Sequence, residues 1–466
     1  VHADTPEHRR SSDSSDREAE LHTLPAQSAH WRRYMREVTA REISSMSRYY
    51  DRLIQYGPLP VDDGELFDCV EARDKLRLAL GQELPDLSAE TDRRTLVLLN
   101  GTIHHDMDIQ ATFTALAKKM SRSTRIVLVA YNPYQKMIQN AVHHLSQREG
   151  DPPSTFLTLV QLRALAALSG LQIVRVRPAV FFPMRAGGIG SVINRIFCGL
   201  PGAERLSAAW VITLRATKLN QTRPSLSVVI PARNERGNLE GALKRLRYLN
   251  ESVDMEVLFV EGHSQDGTWE EILRLQKVYS PEFSIKSFRQ TGVGKNDAVR
   301  LGFEHASKTL LTILDADLTM PPELLHRFYD AYCAGLGDFI NGDRLTYPME
   351  GAAMRPLNFL GNVFFAKALS STLDTPLGDT LCGTKLLSAS DYRRILAWRR
   401  DFGDFDPFGD FELLFPAAVL GLGVVDIPIR YRDRQYGSTS ISRFRHGAQL
   451  LRMTGIGLTK IKAGRG

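Results

Sequence analysis

Two carboxylates one residue apart close the stretch LLTILDADLTMPP, Leu310 to Pro322. Its apolar half reads as a short buried strand, and Asp315 and Asp317 stand where that strand gives way to a loop. Carboxylates so placed can share one hard divalent cation and leave its other positions to water and the oxygens of a diphosphate. Pro321 and Pro322 then stop the strand and open the helix PELLHRFYDAY. An isolated DxD is also what a solvated acidic turn looks like, so the neighbouring elements must carry the case.

Those elements repeat. From Leu226 onward, strand is followed by helix four times, which argues a mostly parallel sheet whose ligands gather at the carboxyl ends of the strands. The first strand delivers Pro231, Arg233, Asn234 and Glu235, and the second delivers Glu261, Gly262, Ser264 and Asp266 behind Val260. Gly292, Gly294 and Lys295 follow the third, and Asp315, Ala316 and Asp317 end the fourth. Asp266 with Gly267 reads as a turn and helix cap. Further on, acids crowd around Asp410 and Glu412, and Cys382 in LCGTK reads as a small buried residue.

The second half resembles a family 2 glycosyltransferase of the GT-A fold, nearest to the dolichyl-phosphate mannose synthase branch. Six motifs in the family's order carry the resemblance: SVVIPARNE, VEGHSQDGT, GKNDAVRLGFEHA, ILDADLTMPPE, DTLCGTKLL and PIRYRDRQYGSTS. The resemblance implies a nucleotide-diphosphate sugar held by Pro231, Arg233, Glu235, Val260, Glu261, Gly262, Lys295, Asp315, Ala316 and Arg434. It also implies Mg2+ or Mn2+ on Asp315 and Asp317, and inversion by direct displacement. Glu261 and Gly262 stand where the family usually has two aspartates, which leaves the base open, and Thr319 replaces a common glutamine.

On the acceptor side, Arg344 and Arg355 match arginines that hold a lipid phosphate, and the apolar stretch Leu357 to Leu369 resembles an interfacial helix. A polyprenyl phosphate already carries the charge needed for attack and requires no strong base. A glycan hydroxyl needs a carboxylate to take its proton, for which Asp379, Asp410 and Glu412 are the candidates. Asp410 comes first because it opens a helix under the site. A non-catalytic nucleotide-sugar-binding or scaffold protein is the alternative from another class.

The earlier part of the chain has a strand at Thr95 to His105, a helix, and a second strand at Arg125 to Asn132, which make a parallel α/β unit. This order resembles the second half of a class I methyltransferase. No glycine-rich turn precedes it, so S-adenosylmethionine is not expected, and the domain reads as truncated, with a structural or partner-binding role. HHDMD, with His104, His105, Asp106 and Asp108, reads as polar capping rather than a metal cluster. The expected architecture is α/β throughout. A disordered tail over 1–28 leads to an incomplete Rossmann-like domain over 29–218, the GT-A domain over 226–445, and a basic amphipathic segment over 446–466.

Composition sets the outer bounds. With 466 residues, 43% of them hydrophobic, the chain can fill two cores. A net charge of +6 suits phosphate-bearing substrates or an anionic membrane surface, and no arginine-aromatic module argues for nucleic acid. Four scattered cysteines suggest neither a disulfide framework nor zinc, which fits a reducing cytoplasm. No stretch reaches the roughly 18 apolar residues of a membrane helix, so a cytoplasmic protein with peripheral contact to the inner face of the plasma membrane is expected.

Overall fold

The computed structural model describes residues 14–59, 62, 64–90, 92–137, 153–200, 202–219, 222–348, 356–403, 406, 409–434, 436 and 443–463. Two β-sheets divide the chain between Ala216 and Leu226. The first contains β1 (Arg52–Gln55), β2 (Lys75–Arg77), β3 (Thr95–Asn100), β4 (Arg125–Tyr131), β5 (Leu171–Ala179) and β6 (Ala209–Ala216). Their order is β2-β1-β3-β4-β6-β5, parallel through β4, with β6 antiparallel between β4 and β5. Helices α1 (Ser14–Ser47), α2 (Glu65–Cys69), α3 (Ile109–Lys119), α4 (Leu159–Leu168) and α5 (Ile189–Gly199) accompany it.

Helix α1 begins at Ser14, so its first turns overlap the stretch expected as a tail over 1–28, of which residues 1–13 lie outside the described residues. Poverty in aliphatics argued against a core, but alanine, glutamate, leucine and arginine are good helix formers and continue α1 backwards. HHDMD behaves as capping. Asp108 accepts from Ala111 N at 2.9 Å to open α3, and Asp106 accepts from Asp108 N at 2.9 Å and Thr112 Oγ1 at 2.6 Å. His104 is buried, accepting from Tyr131 N at 2.7 Å and donating to Thr155 O, and burial pushes its imidazole down to about 4.

At the carboxyl ends of β1 and β3 several polar groups converge on Asp62 and Gly57, while Gln55 Oε1 is buried without a partner. Gln55 and Asn100 donate to Asp62 Oδ2 at 2.6 and 3.2 Å, and Thr102 Oγ1 donates to Gly57 O at 2.9 Å.

The second sheet contains β7 (Leu226–Ala232), β8 (Met255–Glu261), β9 (Ser284–Arg289), β10 (Leu310–Ile313), β11 (Phe339–Asp343), β12 (Lys385–Ser388) and β13 (Val424–Pro428). Their order is β13-β11-β12-β10-β7-β8-β9, and β12 runs antiparallel to both its neighbours. Helices α6 (Leu239–Asn250), α7 (Thr268–Tyr279), α8 (Lys295–His305), α9 (Leu325–Cys333), α10 (Pro356–Leu373), α11 (Ala389–Phe402), α12 (Phe411–Val419) and α13 (Arg443–Ile456) cover it, and a π-helical turn, Gly457–Lys462, continues α13. Apolar side chains fill both faces of the sheet. Gly302 of α8 lies so close to Val229 of β7 that a methyl group there would collide with it. That contact fixes the start of α8, and with it Lys295, at the sheet's carboxyl edge.

A buried charge cluster joins the two sheets. Asp338, just before β11, accepts from Arg125 Nη2 at 2.6 Å and Gly423 N at 3.0 Å, with Arg215 at 3.5 Å and Arg122 at 3.6 Å. The same arginines bind backbone: Arg125 Nε donates to Gly421 O and Arg215 Nη2 to Gly335 O, both at 2.6 Å. Tyr50 OH adds a bond to Leu420 O at 2.8 Å. Burial alone would raise the Asp338 carboxyl, but Arg215, Arg125 and Arg122 hold it well below the carboxylate range. Removing it strands buried guanidiniums, so Asp338→Ala is expected to cost about 3–5 kcal/mol in urea unfolding, and wild-type stability should fall in acid as Asp338 protonates. A loss below about 0.5 kcal/mol would show that the cluster does not join the units.

Candidate active site

Three non-glycine residues hold left-handed backbone at three strand ends: Asn234 after β7 (φ 56°), His263 after β8 (φ 59°) and Leu318 after β10 (φ 56°). Such conformations persist only where neighbours enforce them, and they gather at functional edges. The enforcing bonds run between loops. Asn234 N donates to Ser264 Oγ at 3.0 Å, Asn234 Oδ1 accepts from Gln265 N at 2.8 Å, and His263 Nε2 lies 2.9 Å from Gly292 O. Asp266 serves as a cap, accepting from Thr268 N at 3.0 Å and Arg236 N at 3.2 Å.

Within that rim each carboxylate of DAD has found a cation. Asp315 pairs with Lys295, from the first position of α8, and Asp317 Oδ2 accepts from Arg434 Nη2 at 2.6 Å. Arg434 also donates to Glu235 Oε1 at 3.2 Å, while Thr319 Oγ1 and N hold the other Asp317 oxygen at 2.8 and 3.1 Å. Burial works to lower the Lys295 ammonium, but Asp315, Asp410 and Asp317 around it raise it above the ordinary lysine value. Burial likewise opposes ionisation of Asp315, and Lys295, Lys385 and Arg344 overcome it and lower its carboxyl. Gly383 of the LCGTK loop backs the pair: a methyl group there would collide with both Lys295 Nζ and Asp315 Oδ2.

On the β8 side Glu261 is buried, accepts from Ser264 N, and lies 3.9 Å from Arg289. Glu235 is buried too, and burial raises its carboxyl against the pull of Asn238 and Arg434. Gly262 faces the exposed Arg233 and the buried Gln290; a methyl group there would stand 3.3 Å from Gln290 Nε2 and 3.6 Å from Arg233 Cβ. Gln290 Oε1 is buried without a partner in this structure. Sequence reasoning missed this residue, because one polar side chain beyond a strand end carries no signal by itself. Pro231 is half-buried at the end of β7. Val260 and Ala316 were also expected here. Both side chains lie in the core instead, Val260 because β8 is covered on both faces and Ala316 because it turns inward between two outward carboxylates.

The acceptor-side residues pair among themselves. Arg344 forks onto Asp379, Nε to Oδ2 at 2.6 Å and Nη2 to Oδ1 at 2.9 Å, with the carboxylate fully buried. Burial would raise the Asp379 carboxyl, yet Arg344 holds it low, so neither residue is available as base or as a free phosphate clamp. Glu412 is corrected in the same way: it is buried and held by Arg300 Nε at 3.0 Å, with Arg399 at 3.8 Å. Asp410 differs. It precedes α12, but Asp406 does the capping there, accepting from Phe411 N and Glu412 N at 2.7 and 3.0 Å. Asp410 turns instead to the fully buried Lys385, at 2.5 Å, beside the Lys295 cluster. Arg355 lies outside the described residues. Cys382 is buried under Gly342, and burial pushes its thiol up to about 12.

The fold and its acidic strand end define a GT-A glycosyltransferase, and the comparisons agree. The family model for glycosyl transferase family 2 matches residues 227–396. A dolichyl-phosphate hexose transferase from Haloferax volcanii is 30% identical over 234 residues, 49% of this chain and 92% of that protein. A dolichol-phosphate mannosyltransferase from Pyrococcus furiosus is 35% identical over 120 residues, which is 26% of this chain and only 33% of that relative's length. A mannosyltransferase from Pyrobaculum calidifontis, solved with GDP-Man and Mn2+, covers 52% of this chain and 66% of its own at 18% identity and a TM-score of 0.36. The chain belongs to glycosyltransferase family 2.

Behind the acceptor residues Asp426 accepts from Asn341 Nδ2 and Gly378 N, both at 2.7 Å, and burial, aided by Asp343 and Asp379, pushes its carboxyl up to about 6. The folded value exceeds the unfolded one, so the folded form binds the extra proton between about pH 4 and 6 and loses stability as pH rises through that window. Asp426→Asn should therefore gain on the wild type in urea unfolding from pH 4.5 to 7. A difference that stays constant across that range would contradict the assignment.

Proposed function

We propose that the enzyme moves a sugar from a nucleotide-diphosphate sugar to a polyprenyl phosphate at the cytoplasmic face of a membrane, with inversion at the anomeric carbon. The observation that carries this is the double pairing at one strand end, Asp315 with Lys295 and Asp317 with Arg434. Two acids and two bases on adjoining loops can change partners when a diphosphate arrives: Lys295 and Arg434 turn to phosphate oxygens, and the carboxylates are released. Asp315 and Asp317 then fit Mg2+ or Mn2+, being hard oxygen donors at the cleft. Among the described residues no group of three acids, histidines or cysteines could hold a metal, so the remaining ligands come from water and the donor. Such a cation, when bound, supplies Lewis-acid neutralisation of the departing diphosphate.

The nucleoside lies along β7 and β8, with Glu235 as a ribose hydroxyl acceptor, Arg233 beside it, and Gln290 Oε1 free to accept from a base N–H. A phosphate oxygen attacks the sugar, so no base is required. That suits a site in which Asp379 and Glu412 are held by arginines. Support for a lipid phosphate comes from two relatives named for dolichol- or dolichyl-phosphate sugar transfer. Asp410 favours a second reading, a glycan hydroxyl as acceptor, because its carboxylate, paired with Lys385, stands beside the Lys295 cluster.

Transfer from UDP, GDP and TDP sugars, assayed with and without undecaprenyl or dolichyl phosphate, tests both readings. Asp317→Ala and chelator should each lower the rate about a hundredfold or more. Full activity in either would defeat the metal assignment. Asp410→Asn should retain most transfer to polyprenyl phosphate; wild-type turnover on a glycan alone, lost in Asp410→Asn, would favour the hydroxyl reading.

A further inference from the structure

Helix α5, in the first unit, carries an apolar stripe that nothing in the described structure covers. Ile189, Val192 and Ile196 are 61%, 55% and 54% exposed, and Leu200 continues the row at 48%. Spacings of three and four residues set Ile189, Val192 and Ile196 on one side of the helix. The opposite side is anchored: Cys198 is buried, and Asn194 Oδ1 accepts from Phe181 N at 2.6 Å and Phe182 N at 2.8 Å.

The anchored side of α5 meets the last described residues. Arg195 Nε donates to Ala463 O at 3.3 Å, and Cys198 Sγ approaches Lys462 O at 3.3 Å. Lys462 in turn bonds to Ser371 of α10. Along α13 and its π-helical turn Leu450 and Met453 face the core, while Leu451 and Leu458 face outward; on α10, Leu360 and Phe364 do the same. None of α5, α10, α13 or the π-helical turn contains an aspartate or glutamate, and Arg195, Lys367, Arg452 and Lys460 stand exposed on them.

We propose that α5, together with α13, docks the enzyme onto an anionic lipid bilayer. Apolar side chains enter the acyl boundary and the surrounding arginines and lysines meet headgroup phosphates. A protein partner would need acids of its own to match these cations, whereas an anionic membrane presents that charge over any area. These four helical segments carry no acids, and the acids beside them, Glu37, Glu42 and Asp374, are already paired with Arg185, Arg177 and Lys462, so the surface is left with a net positive charge that suits an anionic membrane. Docking explains what the first unit contributes, since it holds the transferase sheet through the Asp338 cluster and the lipid surface through α5. It extends the lipid-acceptor reading and is measured separately from transfer.

The full chain is to be sedimented with vesicles of phosphatidylglycerol and phosphatidylcholine, and with phosphatidylcholine alone. Binding to the anionic vesicles is expected, weakening between about 0.1 and 0.5 M salt. Val192→Glu with Ile196→Glu should lower it about tenfold or more, with the melting temperature and the thermal shift by UDP or GDP with Mn2+ unchanged. Leu168→Glu, at an exposed leucine on α4, should change nothing. Wild-type protein that ignores anionic vesicles, a double variant that binds them undiminished, or a dimer that the double variant dissolves would overturn the proposal. Vesicle binding without any nucleotide response would leave docking intact and sink the transfer reading instead.

Discussion

The electrostatic balance at the end of β10 is the constraint that the rest of the second unit serves. Two carboxylates one residue apart repel each other, and this chain holds them by bringing one cation to each from a different loop: Lys295 from the start of α8, Arg434 from the segment after β13. Neither cation is near DAD in sequence. Both depend on packing, Lys295 on the close approach of α8 to β7 at Gly302 and Arg434 on the alignment of β13 with β11. Left-handed residues after β7, β8 and β10 complete the rim, and bonds to neighbouring loops hold Asn234 and His263 in place. A site poised on exchangeable ion pairs suits a substrate that is itself a polyanion.

Much of this was legible beforehand, and what was hidden shares one cause. The strand ends, the cap at Asp266, the buried Cys382 and the capping role of HHDMD follow from residue type and local spacing, which sequence displays directly. Long-range pairing does not. Asp379 has the look of a base in sequence, but Arg344, 35 residues away, is forked onto it, and Glu412 is held by Arg300 from 112 residues off. Lys385 lies in a motif already quoted, but its role depends on Asp406 taking over the helix cap and releasing Asp410. Val260 and Ala316 were assigned by position in a motif, whereas strand alternation and coverage of both sheet faces decide that their side chains belong to the core.

The two units are also more tightly joined than a polar linker between them suggested. Asp338 gathers three arginines of the first unit at the root of β11, and the same arginines grip the backbone turns that precede β11 and β13. β11 ends at Asp343 and Arg344 follows it, so the first unit braces the strand that leads to the Arg344–Asp379 pair. At its own strand ends Gln55 and Asn100 donate to Asp62.

Calorimetric titration of UDP and GDP in the presence and absence of Mn2+, on the wild type and on Asp315→Asn, tests the central claim most directly. The account predicts binding of at least one nucleotide that requires the cation in the wild type and is lost or greatly weakened in the variant. Equal affinity with and without Mn2+, unaffected by the substitution, would contradict it.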